Sequence, residues 1–209
     1  MGEANEALRE KWARVALAEL TSNGLLLQGD GARPSVVRVV VGGPVKGSWW
    51  SHPKANDIYA VCQFLKHHAD AMTAKLVLGK VTYVHRALWP ALVSLADSRA
   101  PWQLEGLSRA AQSLLREVTQ SGELRTDQAA RANLGAAARE LEQRLLVHAE
   151  EFHTERGVHA KRLEAWPVWA SRMGVPSARP SAARARESLE THARQFGESR
   201  RPRVLPWLE

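Results

Sequence analysis

The chain has 209 residues, 44% of them hydrophobic and 24% charged, which is enough apolar material for one good core or two small domains and too much for wholesale disorder. Its net charge of +7 and isoelectric point near 10.1 imply attraction to an anionic partner without naming a reaction. Cys62 is the single cysteine, so an intrachain disulfide and a cysteine-rich zinc site are excluded. No run of about 18 apolar residues offers a membrane span, and the charged start MGEANEALREKW lacks the apolar stretch of a signal peptide. A cytoplasmic protein without membrane contact is therefore expected.

The basic excess is uneven. Residues 29–103 carry 9 basic against 4 acidic side chains and residues 172–209 carry 8 against 4, whereas residues 1–28 and 104–171 are close to balanced. Lysine and arginine supply the sequence-independent part of nucleic-acid binding by neutralising phosphate, so such a surface belongs first in the two basic segments.

In chain order, residues 3–21 predict a helix, with Leu8, Trp12, Val15 and Ala16 or Glu19 at helical spacing and Asn23-Gly24 as its stop. It should pack on residues 25–27. After a Gly29-Asp30-Gly31 turn, the β-branched run 36–41 reads as a buried strand ended by Gly42-Gly43-Pro44. That turn lacks the spacing and the following Lys-Ser/Thr of a phosphate loop. Residues 56–67 predict an amphipathic helix burying Ile58, Val61, Cys62 and Leu65, and residues 75–78 and 80–84 a hairpin around Gly79. A short helix over 88–96, with Pro90 in its first turn, leads to a connection between domains at 98–102.

The remainder runs as a helix over 108–120, a stop at Ser121-Gly122, an extended piece over 123–126, and a helix from about 128 to 133. A turn at Leu134-Gly135, a helix over 136–144, and a hairpin of 145–154 with 158–165 across Arg156-Gly157 follow. In this element order residues 104–170 resemble the winged-helix superfamily. The resemblance implies a module that docks on DNA through its third helix and wing, although such modules also bind proteins. A rival reading is one long helix through Phe152, since Leu134, Ala138, Leu141, Leu145, Ala149 and Phe152 keep helical spacing. On the winged reading the third helix buries Ala138, Leu141 and Leu145 and exposes Arg139, Glu140, Glu142, Gln143 and Arg144, two carboxylates that would repel phosphate. Past Pro180-Ser181, a helix carrying Ala182, Arg186, Leu189, Ala193 and Phe196 stops at Gly197. The tail after it holds Arg200, Arg201 and Arg203 and ends in an apolar stretch. This tail either folds back on the body or serves as an arm that reaches phosphate.

Trp49-Trp50-Ser51-His52-Pro53-Lys54 has two readings: core packing, or a platform that stacks bases beside cations. If the segment is extended, alternation sends only one indole inward. His148, His153, Glu155 and His159 lack the spacing of a zinc motif, and Asp57 reads as a first-turn acid on a helix dipole. No metal, cofactor or catalytic pair is assigned. The expectation is an α+β protein with domains at 1–100 and 104–170 and a basic helix and tail over 171–209. It binds nucleic acid, DNA ahead of RNA, through Trp49, Trp50, His52, Lys54, Lys80, His85, Arg86, Arg139, Arg156, Arg200, Arg201 and Arg203. The alternatives are a nucleic-acid-processing enzyme with a pocket near 49–54 and His85-Arg86, or a protein-interaction module over 104–170.

Overall fold

Helical and extended segments separated by glycine and proline stops assemble, in the computed structural model, into an α+β fold of two units. The structure describes residues 2–30, 32–128, 134–155, 157, 159–197 and 204–208. The first unit is Met1–Trp89 with Leu189–Glu209, and the second is Pro90–Ser188. Among the described residues each holds one antiparallel three-stranded sheet, and no helix is long and apolar enough to cross a membrane.

These boundaries differ from those expected. The 98–102 segment is no linker: Gln103 is fully buried and donates through Nε2 to the carbonyls of Ala96 (3.0 Å) and Arg144 (3.1 Å), which knits it into the second unit. The 171–209 segment is divided. In the second unit Ser94 Oγ donates to the Pro180 carbonyl (2.6 Å), whereas in the first the Leu78 N–H donates to the Val204 carbonyl (2.8 Å) and Trp207 Nε1 to Glu190 (2.8 Å). Val204, Leu205 and Trp207 are buried, so the apolar end of the tail folds back on the first unit.

The first unit begins with α1 (Gly2–Asn23), which stops at Gly24, a residue at φ 76° whose N–H bonds to the Leu20 carbonyl. Its buried stripe is Ala13, Ala16 and Leu20 with Trp12 half-buried against the core, so Trp12 and Ala16 turn inward as expected, whereas Leu8 and Val15 are each 40% exposed. Facing small residues inward lets the helix backbone approach its neighbours closely. Next, β1 (Leu25–Leu27) leads to residues 36–41, which form a helix, α2 (Val36–Val41), instead of a strand. Local caps override β-propensity here. The Ser35 hydroxyl accepts from the Arg38 N–H at the start, left-handed Gly42 returns its N–H to the Arg38 carbonyl at the end, and Val36, Val37 and Val40 enter the core together.

As the periodicity predicts, α3 (Ala55–Lys66) buries Ile58, Val61, Cys62 and Leu65. Truncating one of these, as in Ile58→Ala, removes about 2–5 kcal/mol. A hairpin also forms, but its first strand, β2 (Ala71–Lys75), shares only Lys75 with the expected 75–78. Its link to β3 (Val81–His85) is a short helical turn in which Leu78 and Gly79 both take positive φ. The central strand is β3, pairing Leu26 with Tyr83 on one side and Thr73 with Tyr83 on the other.

The second unit opens with α4 (Trp89–Ala96), whose first residue belongs to the first unit, and α5 (Pro101–Leu104). Ser108 caps α6 (Arg109–Ser121), Gly122 ends it, and Ala111, Leu114, Leu115 and Val118 form its buried face. After β4 (Glu123–Arg125), most of the helix expected over 128–133 lies outside the described residues, and Gln128 is in a turn. Helix α7 (Leu134–Gln143) already contains Leu134 and Gly135, where a turn was expected, and its end at Gln143 removes the long-helix rival. Then β5 (His148–His153) and β6 (His159–Glu164) pair as the expected hairpin, and β4 adds to β6 to give the order β4-β6-β5. Leu163 lies opposite both Leu124 and Ala149, over a core that includes Leu114, Val118, Ala138 and Leu141. The unit continues through α8 (Trp166–Arg172) into the first part of α9 (Ala182–Ala193).

Candidate nucleic-acid interface

In the first unit the aromatic pair stands in a 3₁₀ turn, not in an extended segment. The Ser48 hydroxyl accepts from the Trp50 N–H (3.4 Å), and the His52 N–H closes on the Trp49 carbonyl (3.0 Å). This turn lays the two indoles face to face, with centroids 4.0 Å apart and planes inclined by 25°. Trp49 is half-buried against the core, seated over Gly29, where a Cβ would stand 3.1 Å from the indole. Trp50 is 61% exposed. Its further neighbour is Tyr59, 44% exposed on the outward face of α3, at 5.8 Å and 42°. Only Trp49 therefore joins the core, and the cause is ring stacking across a turn rather than strand alternation. The sole sequence signal for Tyr59 is its place between the core positions Ile58 and Val61, which turns it outward.

The cations expected around this pair are largely engaged. Lys54 Nζ donates to the Val40 carbonyl (3.0 Å) at the end of α2 and sits 5.0 Å from the centre of the Trp12 ring. Lys80 bonds Asp30 (2.8 Å), a carboxylate that also takes Arg33 at 3.2 Å. Burial pushes the Asp30 carboxyl up, but the hydrogen bonds from Lys80 and the Ala32 N–H outweigh it and hold the group below its usual range. Arg86 lies 3.6 Å from Asp70 and over the Trp89 ring. His52 Nδ1 accepts from the Lys54 N–H and His85 Nδ1 from the Ala87 N–H, so each imidazole closes a local turn. The Gln28 N–H bonds the Val81 carbonyl, which places Gly29 and its Trp49 at the Val81 end of the sheet. His85-Arg86 leave from the other end of β3, about 13 Å along the strand. The two halves of the expected pocket are thus drawn apart.

In the second unit α7 resolves differently from its sequence. Glu140 turns to the start of α6 and accepts from the Ser108 N–H (3.0 Å) and hydroxyl (2.7 Å), and Glu142 is buried with both oxygens on Lys161 Nζ (2.7 and 2.8 Å). Arg144 folds back to donate to the carbonyls of Trp102, Gln103 and Glu105. What remains exposed on α7 is Gly135, Ala136, Arg139 and Gln143, which share one helical face and include no carboxylate. At the free end of the hairpin His153 and His159 come together, Nε2 to Nε2, at 3.3 Å. His148, on the opposite face, is enclosed by Trp166 and Trp169, and burial, reinforced by Arg172 and Arg162, pushes its pKa down to about 3. Arg156, Arg200, Arg201 and Arg203 lie outside the described residues.

Groups suited to catalysis are taken up structurally. Asp57 accepts from Arg9 Nε at 2.6 Å. The Cys62 thiol is buried and pushed up to about 11, so it is not a nucleophile at neutral pH. A cleft of about 450 Å³ between α1 and α3 is lined by Arg9, Glu10, Ala13, Arg14, Ala60 and Phe64, none of them an expected site residue. Among the described residues no group of three or more His, Cys, Asp or Glu is placed to hold a metal ion. No protein-family model, curated protein or solved structure matches this chain.

Proposed function

We propose that the chain is a nucleic-acid-binding protein whose second unit docks on duplex DNA through α7, with the β5–β6 hairpin as a wing. The observation that carries this reading is the face of α7: Glu142 is buried on Lys161 and the half-exposed Glu140 is engaged by Ser108, leaving Arg139 and Gln143 exposed beside Gly135 and Ala136. Small residues permit close approach to a groove, and Arg and Gln are side chains that pair two-pronged with guanine and adenine edges. Support also comes from the element order α6, β4, α7, β5, β6 and the pairing of β4 with β6 of the hairpin. These fit the first helix, short strand, third helix and wing of the winged-helix plan, while most of its second helix lies outside the described residues. Arg156, between β5 and β6 in the sequence, and the tail residues Arg200, Arg201 and Arg203 supply phosphate contacts that position without reading sequence. A reducing cytoplasm suits the lone, buried thiol of Cys62.

The test is fluorescence anisotropy on a labelled mixed-sequence duplex across a salt series. Binding at low salt should weaken steeply as salt rises, and Arg139→Ala should lose about 5- to 150-fold in affinity, the equivalent of about 1–3 kcal/mol. Duplex affinity that is unchanged in Arg139→Ala removes α7 from the interface.

A further inference from the structure

We infer that Trp49, Trp50 and Tyr59 in the first unit form a stacking site for the bases of single-stranded nucleic acid. The site is independent of the duplex reading of α7 and uses different residues. Three observations meet here. The first is exposure: a tryptophan 61% open to water, with one ring face covered by Trp49, leaves much of its indole surface to a planar ligand. Base stacking on aromatic rings needs such a surface and tolerates any sequence, because every base has a π-face.

Rigidity is the second. Trp49 is held between the core and Gly29, the turn that joins it to Trp50 is closed by the Ser48 and His52 hydrogen bonds, and Tyr59 rides on α3, whose other face is anchored by Ile58 and Val61. A platform ordered before binding loses little side-chain entropy when a base arrives.

Charge is the third, and it selects the ligand. Between Asp30, which Lys80 and Arg33 hold, and Asp70, the sequence has one carboxylate, Asp57, against Arg33, Arg38, Lys46, Lys54 and Lys66, of which Arg33, Arg38 and Lys54 are engaged by Asp30 or by backbone carbonyls. That one carboxylate is neutralised by Arg9 at 2.6 Å. Lys46, exposed three residues before Trp49, is the cation nearest to the stack in sequence. Aromatic rings carried on a segment with almost no free negative charge complement a polymer of flat bases and phosphates.

The experiment titrates the full chain with oligo-dT, oligo-rU and a duplex of equal length, reading anisotropy and tryptophan quenching. Both single strands should bind and quench. Trp50→Ala should lower single-strand affinity by about 5- to 150-fold while melting with the parent protein, and Trp50→Phe should recover most of the loss. Tyr59→Ala should weaken binding by a smaller factor, and it serves as the second variant should Trp50→Ala fail to fold. Arg139→Ala should leave single-strand binding unchanged, so that failure of this site and failure of the α7 reading are told apart. Unchanged single-strand affinity in a folded Trp50→Ala protein overturns the inference. So does self-association of the parent chain that Trp50→Ala abolishes with no effect on oligonucleotides, an outcome that assigns the rings to a protein interface.

Discussion

The two units differ in how deeply they set their most buried ionisable groups. In the first, the pairs Arg9–Asp57, Lys80–Asp30 and Arg86–Asp70 keep the basic member 38 to 55% exposed, although the Asp30 side chain is only 8% exposed. Such pairs contribute about 0–1 kcal/mol each and weaken with salt. In the second, Glu142 and Glu164 are buried, the one on Lys161 and the other on Arg172 at 2.7 Å, with His148 enclosed beside Trp166 and Trp169. A buried carboxylate that loses its cation has nowhere to find water. The comparison teaches that net charge per segment points to a binding surface only once the partner of each charged group is known. The basic segment 29–103 turns several of its cations on its own acids and carbonyls, while the balanced segment 104–171 buries the Glu142 carboxylate of α7 on Lys161 and leaves Arg139 exposed.

The contrast can be broken most directly at Lys161. Lys161→Met should cost about 3–5 kcal/mol of second-unit stability in a denaturant melt, and adding Glu142→Gln should restore a large part of it. A loss under about 1 kcal/mol would place this pair in the same class as the surface pairs of the first unit.

Acid should separate the units next. His148 is held neutral in the folded state with a pKa of about 3, while the unfolded chain takes up its proton near pH 6.5. Between those values the unfolded state binds more protons, so stability is full above about pH 6.5 and falls with pH by about 1.4 kcal/mol per unit. At pH 5.5 the second unit should be about 1.4 kcal/mol less stable from this group alone, and His148→Phe should flatten that slope. A pH-independent melt of the parent chain over this range would mean that His148 accepts its proton in place.

Smaller effects belong to the basic tail and the surface pairs. Because Val204, Leu205 and Trp207 pack on the first unit, the clean variant is the triple Arg200→Ala, Arg201→Ala, Arg203→Ala rather than a truncation. It should leave the melting temperature alone and reduce the salt slope of DNA binding by about 0.9 for each phosphate that is no longer neutralised, equally on any duplex. An unchanged slope excludes the arm. Lys80→Met, which removes an exposed partner of Asp30, should cost less than about 1 kcal/mol by thermal denaturation.

Much of the architecture is legible in residue spacing. The face of α3, the extent of α6, the stops at Gly24, Gly122 and Gly197, and the β5–β6 hairpin across Gly157 all follow from local pattern, since period, caps and turns are properties of neighbouring residues. The same reasoning misplaces residues 36–41, where Ser35 and Gly42 cap a helix whose valines would equally suit a strand, and misplaces Leu8 and Val15 of α1, which are exposed while Ala13 and Leu20 turn inward. The site is less legible than the fold. Sequence alone determined that Trp49 and Trp50 stand beside a helix in an acid-poor stretch, and that Arg139 lies on a helix with Glu140 and Glu142. Only the tertiary structure decided that Tyr59 joins the indoles, that His85-Arg86 lie at the far end of the sheet, and that Lys161 buries Glu142 while Ser108 engages Glu140. The physical reason is range: helix period and capping act over a few residues, whereas an ion pair or a ring contact joins groups 9 to 50 residues apart, whose meeting depends on how whole elements pack.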